Sequence, residues 1–123
     1  HIEDNPLNRS LVEAMFSAYP QVRLHSAETA AEGQAAIEAM NPDVALVDIN
    51  LPDGSGLDLC RRIRAQAQFH DLPMIALSAD ALPEHIAKAL QTGFNHYLVK
   101  PLQITRLLTI LSTLPTTQAA PPH

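Results

Sequence analysis

Four consecutive apolar residues at positions 44–47 lead directly into Asp48. A short run that is rich in Val and Leu is typical of a strand buried on both faces of a sheet. Pro52, Gly54 and Gly56 then interrupt the chain and predict a loop. The pattern therefore places a carboxylate at the carboxyl end of a core strand. An unpaired charge is costly there, so Asp48 needs a cation, a metal ion or a proton.

Helical and strand patterns alternate along the rest of the chain. Strands that alternate with helices of about 10–15 residues predict a parallel sheet with helices on both faces. Ile2 and Glu3 would end a first strand that begins upstream of residue 1, which makes five strand–helix units. The other predicted strands lie at residues 22–24, 44–48, 72–78 and 96–99, and the predicted helices at residues 6–19, 28–40, 57–67, 83–92 and 101–111.

Length and composition indicate a single globular domain of 123 residues, of which 46% are hydrophobic. We expect this domain to span residues 1–114 and a disordered tail to follow at residues 115–123. No apolar run approaches the ~20 residues of a membrane span, so we expect no contact of this segment with a membrane. The single Cys60 suits a reducing compartment such as the cytoplasm. A net charge of −5 argues against direct nucleic-acid binding, which needs the opposite sign.

Polar side chains follow the predicted core strands at their carboxyl ends, where sites form in open parallel sheets. Glu3 and Asp4 follow the first strand, Asp48 the third, Ser78 the fourth and Lys100 the fifth. Three carboxylates at one place repel each other, and a hard divalent cation such as Mg²⁺ would relieve this repulsion. A carboxylate nucleophile, Mg²⁺, a lysine and a hydroxyl are the groups that phosphoryl transfer uses.

Four motifs in this order resemble the receiver domain of a two-component response regulator, and the resemblance extends from residue 2 to about residue 114. It implies an α/β fold of the flavodoxin-like type, a doubly wound five-stranded parallel sheet with five helices and strand order 2-1-3-4-5. Two departures are minor: the acidic pair is Glu-Asp rather than Asp-Asp, and a Ser stands where Thr is also frequent. The motifs are Glu3-Asp4-Asn5, Asp48 with Leu51-Pro52 and Gly54, Ser78-Ala79, and Lys100-Pro101 preceded by Tyr97.

The resemblance implies a chemical role for each residue of the acidic site. Asp48 would accept a phosphoryl group from a phospho-His donor. Asp4, Asp48 and the backbone carbonyl of Asn50 would hold Mg²⁺, and Glu3 would assist through water. Lys100 would pair first with the acceptor carboxylate and then with the phosphoryl group.

The resemblance also implies a switch. Ser78 would move to bond a phosphoryl oxygen, and Tyr97 would turn inward to fill the space that Ser78 leaves. This movement would change the face formed by the fourth helix, the last strand and the fifth helix, through which a homodimer could form. Asn50 and Asp80 lie where the family tunes the lifetime of the phosphorylated state.

The expected partner is a histidine kinase or a histidine phosphotransfer domain. Asn5-Pro6 with Asn8, and residues 77–81 with Gly93-Phe94, also resemble receiver modules of hybrid sensor histidine kinases. The parent chain could then be such a kinase, placed in the cytoplasm or on the cytoplasmic side of a membrane sensor. The domain itself would catalyse only its own phosphoryl transfer and dephosphorylation.

Other classes of protein remain as alternatives. A pseudo-receiver keeps the fold as an interaction module without phosphorylation, but it would be marked by loss of Asp48, Asp4 or Lys100, and all three are present. A phosphohydrolase that forms an aspartyl phosphate usually has a second Asp two residues after the nucleophile, where this chain has Asn50. A flavodoxin-type carrier would need a phosphate-binding loop after the first strand, where this chain is acidic.

Several of these residues also have a purely structural interpretation. Asp4 could cap the first helix, Ser78 could cap a turn, and Tyr97 could be a packing residue. For Asp53 and Gly54, turn formation alone is the expected role. Asp48 is hardest to explain structurally, because a buried strand delivers it into a loop.

Overall fold

The computed structural model describes residues 1–113, in which helices and strands alternate as the sequence predicts. Each helix in this range is too short or too polar to cross a lipid bilayer. The predicted domain boundary at residue 114 and the tail at 115–123 lie outside the described residues. The elements are α1 Pro6–Phe16, α2 Ala30–Met40, β1 Ala45–Asp48, β2 Asn50–Leu51, β3 Gly54–Ser55, α3 Gly56–Arg64, a 3₁₀ helix Ala67–Phe69, β4 Met74–Ser78, α4 Pro83–Thr92, β5 His96–Val99 and α5 Ile104–Thr113.

The main sheet is parallel and has the order β1-β4-β5. Ile2 extends it by one position, because it forms a parallel bridge with Val47 of β1 on one side and with Ala27 on the other. The chain order across the sheet is therefore the predicted one, although the first strand is here represented by Ile2 alone and the second by Ala27 alone. β2 and β3 form a separate antiparallel hairpin directly after Asp48.

The strand predicted at residues 22–24 is wrong in its position. Within residues 1–113, the partner of Ile2 is Ala27, and residues 22–24 take no part in a ladder. Ala27 donates to the His1 carbonyl and accepts from the Glu3 N–H, both at 2.9 Å, so the pairing with the first strand is centred on Ala27. Val22 and Leu24 are nevertheless partly buried against the core, which explains their alternation with polar residues.

Helix boundaries follow capping groups and differ by a few residues from the prediction. The side chain of Asn5, and not that of Asp4, accepts hydrogen bonds from the first turn of α1. Thr29 caps α2, so this helix begins at Ala30 rather than at residue 28. α3 ends at Arg64 and α5 begins at Ile104, both inside the predicted ranges.

The alternating side chains of β4 divide the core into two clusters on opposite faces of the sheet. Met74 and Ala76 belong to one cluster with residues of α2, α3 and α4. Ile75 and Leu77 belong to the other with residues of α1 and α5. Because both faces of the sheet are covered, polar groups can meet water only at its ends.

We predict that Gly33→Ala destabilises the domain. A methyl group at Gly33 of α2 would lie 2.3 Å from Cδ1 and 2.7 Å from Cγ1 of Ile2. Overpacking of this kind costs about 1–3 kcal/mol, which exceeds the gain of about 1 kcal/mol from replacing a helical glycine with alanine. Urea denaturation should therefore show a net loss. Adding Ile2→Val, which removes the nearest carbon atom, should recover part of it, and a fully stable single variant would contradict the prediction.

Candidate functional site

An acidic cluster forms at the carboxyl end of the sheet. Ile2 donates a backbone hydrogen bond to Leu46 and accepts one from Asp48 at 3.0 Å, which sets the residues after Ile2 beside the end of β1. Glu3, Asp4 and Asp48 each offer a carboxylate oxygen, and these atoms lie within 4.8 Å of one another. Glu3 and Asp48 are buried, whereas Asp4 is exposed. The cluster is therefore anchored in the core and open to solvent on one side.

Lys100 is the cation that pairs with the two buried carboxylates. Its Nζ donates to Oε1 of Glu3 and to Oδ2 of Asp48, both at 2.9 Å. Lys100 directly follows β5, and its backbone N–H donates to the carbonyl of Ser78 at 2.8 Å. The parallel register of β1, β4 and β5 thus brings together residues that are far apart in the sequence.

The electrostatics of the cluster favour a shared proton or an added cation. Burial raises the pKa of Glu3, and the neighbouring Asp48 acts in the same direction, while the hydrogen bond from Lys100 opposes them. Burial lowers the pKa of Lys100, but its hydrogen bonds to Glu3 and Asp48 outweigh this effect, so the net shift is upward. The lysine therefore stays charged at neutral pH, and the carboxylates of Glu3 and Asp48 share it.

The donor set fits Mg²⁺. All three side chains of the cluster offer oxygen, which is the ligand type this ion prefers, and the exposed side leaves room for water ligands. The backbone N–H of Asn50 donates to Oδ1 of Asp48 at 3.0 Å, so the Asn50 peptide lies beside the Asp48 carboxylate. One ammonium cannot neutralise three carboxylates, and a divalent cation would reduce their mutual repulsion.

A second group of polar residues lies beside the cluster and centres on Asp80. Ser78 is buried at the end of β4, and its Oγ accepts the Asp80 backbone N–H at 3.1 Å. The Tyr97 hydroxyl donates to the Asp80 carbonyl at 2.7 Å. The Asp80 carboxylate binds the Leu82 backbone N–H and the His85 ring, and these two contacts lower its pKa.

A cavity of about 180 Å³ lies beside this second group. Its wall includes Asn50 from the hairpin, Ser78 and Asp80 after β4, and Tyr97 from β5. The structure thus divides the predicted site residues into the acidic cluster with Lys100 and a neighbouring group of Ser78, Asp80 and Tyr97. The cavity lies next to Tyr97 and offers space for a side-chain movement.

The sequence analysis missed Arg9 and His85 in this region, and it gave Asp53 only a role in turn formation. Arg9 donates to the backbone carbonyls of Glu3 and Asp4, each at 2.8 Å, and so holds the backbone of these two residues in place. His85 pairs with Asp80, and Asp53 caps a helix. The spacing of Arg9 from Asp4 and of His85 from Asp80 gave a weak local signal, whereas Asp53 and its partners are 23 and 22 residues apart.

Comparison with known proteins defines the class. The model of the response regulator receiver domain family matches residues 1–112. The transcriptional regulatory protein KdpE of Staphylococcus aureus is 34% identical over 105 residues, which are 85% of this chain but only 43% of that protein. The polar-differentiation response regulator DivK of Brucella ovis is 32% identical over 111 residues, covering 87% of this chain and 86% of that protein.

A solved structure agrees with these relatives. The receiver domain of the sensor histidine kinase PA1611 of Pseudomonas aeruginosa is 35% identical, with a TM-score of 0.81 over 90% of each chain. That domain was crystallised with a magnesium ion coordinated in its active site cleft. The chain therefore belongs to the response regulator receiver domain family. The flavodoxin-like fold that the resemblance implied is confirmed.

Proposed function

We propose that this domain is a phosphoacceptor that takes a phosphoryl group from a phospho-His donor onto Asp48. The observation that carries the proposal is the position of Asp48, at the end of a buried strand and 2.9 Å from Lys100 within an acidic cluster. A carboxylate oxygen of Asp48 attacks phosphorus while the phosphorus–nitrogen bond of the donor breaks. The electron pair of that bond returns to the donor imidazole.

Lys100 and Ser78 stabilise the transferred group in this proposal. Lys100 holds the Asp48 carboxylate before transfer and moves its positive charge to a phosphoryl oxygen afterwards. The Ser78 hydroxyl donates a hydrogen bond to another phosphoryl oxygen. Bound Mg²⁺ would neutralise charge on the transferring group, and Glu3, Asp4, Asp48 and the backbone carbonyl of Asn50 would hold it.

The neighbouring group would convert this chemistry into a signal. When Ser78 turns toward the phosphoryl group, it gives up its hydrogen bond from Asp80, and Tyr97 can leave the Asp80 carbonyl and move inward. The readout would be a changed surface of α4, β5 and α5, where partners bind or a second copy of the chain docks. Asn50 and Asp80 border the cavity and would tune the phosphoryl lifetime.

The proposed donor is a histidine kinase or a histidine phosphotransfer domain in the cytoplasm. Membership of the receiver family supports this choice, because the relatives include response regulators and a receiver domain from a sensor histidine kinase. The likeness to that receiver domain also supports a parent chain of the hybrid kinase type.

We predict that Mg²⁺ and a small phosphodonor such as acetyl phosphate together add one phosphoryl group, read out by intact mass. The adduct should be stable in acid and labile in base, as an acyl phosphate is. Excess chelator should reduce labelling to background, because the acidic cluster would then repel the donor. Equal labelling with chelator would remove the metal from the proposal. No labelling of folded, Mg²⁺-binding protein would favour the pseudo-receiver alternative.

A further inference from the structure

The carboxylate of Asp53 joins the loop after Asp48 to the start of α2. Its Oδ1 accepts the backbone N–H of Ala30 at 2.7 Å, and its Oδ2 accepts that of Ala31 at 3.0 Å. Asp53 lies in the turn between β2 and β3, so one side chain connects two segments that are more than 20 residues apart. Turn formation alone does not require this contact.

The contact satisfies groups that the helix itself leaves free. The first four N–H groups of a helix have no partner within it. Thr29 Oγ1 accepts one of them, that of Glu32, at 3.1 Å, and Asp53 accepts two others. These backbone hydrogen bonds lower the pKa of Asp53, so the side chain is ionised at neutral pH and both bonds are charge-assisted.

The hairpin that Asp53 holds against α2 contains Asn50, whose backbone carbonyl belongs to the proposed cation site. At its first residue, the Asn50 N–H donates to Oδ1 of Asp48 at 3.0 Å. Directly after the hairpin, the Gly56 N–H donates to the Ile49 carbonyl at 2.7 Å. These bonds fix the base of the loop, and Asp53 fixes its tip.

The helix that Asp53 caps is also connected to the acidic cluster. α2, which Asp53 caps, packs through Gly33 on Ile2, the residue that precedes Glu3. A closed path of contacts therefore runs from Glu3 through Ile2, α2 and Asp53 to the hairpin and back to Asp48. The segment that contains Glu3 and the hairpin that contains Asn50 are therefore both held by α2.

We propose that Asp53 is a positioning residue that holds the hairpin so that the Asn50 carbonyl is aligned for cation binding with Asp4 and Asp48. This inference rests on the Mg²⁺ site of the proposed function. Asp53 touches neither the ion nor the phosphoryl group, and it acts through the backbone of the hairpin. Groups one step removed from a metal ligand characteristically set its orientation and affinity.

The test is a comparison of Mg²⁺ affinity by isothermal titration calorimetry in the wild-type protein, Asp53→Ala and Thr29→Ala. Both variants remove capping of α2, but only Asp53→Ala releases the hairpin, so Thr29→Ala is the matched control. We expect the dissociation constant for Mg²⁺ to rise about tenfold in Asp53→Ala, the low end of the range for groups one step removed from a metal ligand. In Thr29→Ala it should stay within about twofold, since the hairpin remains tied to α2.

A second comparison separates positioning from the simple loss of a negative charge. At about 1 M salt the Debye length is about 3 Å, so an effect of the exposed Asp53 charge through solvent would vanish, whereas an effect of loop position would persist. Circular dichroism checks that each variant is folded, and Asp53→Asn, which keeps one acceptor oxygen, should give an intermediate affinity.

The outcomes are distinct. Equal Mg²⁺ affinity in Asp53→Ala and wild type, an equal loss in Thr29→Ala, or an effect that disappears at high salt would each overturn the role of Asp53 and leave the proposed function intact. A folded wild-type protein that binds no Mg²⁺ would overturn the proposed function and this inference together.

Discussion

Replacing Asp48 with Asn should abolish labelling by a phosphodonor while the domain remains folded. Asn has nearly the same shape and can still accept the Asn50 N–H that Asp48 accepts at 3.0 Å. Its amide lacks the negative charge and the nucleophilic oxygen that attack on phosphorus requires. Loss of the nucleophile should reduce the labelling rate by a factor on the order of 10² or more, measured by intact mass over time.

A matched control is Asp58→Asn on α3. It makes the same chemical change at an exposed residue that pairs with Arg61 and lies outside the acidic cluster, so it should label at the wild-type rate. If Asp48→Asn labelled as fast as this control, the acceptor would be another residue and the proposed function would lose its central assignment.

Replacing Lys100 with Met should remove labelling and also destabilise the domain. The lysine is the shared partner of Glu3 and Asp48, whose side chains are only 2% and 5% exposed. Breaking a buried ion pair by removing one partner costs about 3–5 kcal/mol, and we expect about 2–4 kcal/mol here because a quarter of the Lys100 side chain is exposed. Urea denaturation at neutral pH would measure this loss.

The loss should depend on pH in a defined direction. Burial raises the pKa of Glu3 above its ordinary value of 4.5, and the hydrogen bond from Lys100 opposes that shift, so the variant raises the pKa further. A carboxyl group with a raised pKa in the folded state contributes stability below its unfolded value and loses it as the pH rises through the folded value. The deficit of Lys100→Met should therefore be small near pH 4.5 and full at neutral pH.

Added Mg²⁺ should restore part of the stability of Lys100→Met at neutral pH, because a divalent cation can take over the charge of the missing ammonium. Lys88→Met is the control, since Lys88 is an exposed residue of α4. A Lys100→Met protein with wild-type stability at every pH would show that the two carboxylates do not need this partner.

The sequence was informative wherever a local pattern decides the structure. The apolar run before Asp48 and the segment that ends in Ser78 are buried strands in the structure, because a short run of this kind can be covered only in the middle of a sheet. The carboxyl ends of parallel strands share one edge, and from this rule the sequence alone predicts that Glu3, Asp48 and Lys100 lie together.

The sequence was less informative where distant partners decide the structure. Alternation at residues 22–24 predicted a strand, but the pairing with the first strand is centred on Ala27, which bridges Ile2. The role of Asp53 depends on its contact with two backbone N–H groups of α2, and no motif around Asp53 predicts that contact. That Glu3 assists Mg²⁺ binding through water stays a prediction, whereas its direct pairing with Lys100 was not predicted, because it follows from burial that only the fold defines.

The pairing of Glu3 with Lys100 also has a consequence for synthesis on the ribosome. The two residues are 97 positions apart, so at about 5–20 residues per second Glu3 is made about 5–20 s before its cation. During that interval the burial of Glu3 and Asp48 together as two carboxylates is unfavourable, because their lysine is not yet present. The nascent sheet should therefore stay open at this edge until β5 is complete, and the domain should close only when nearly all of it has been translated.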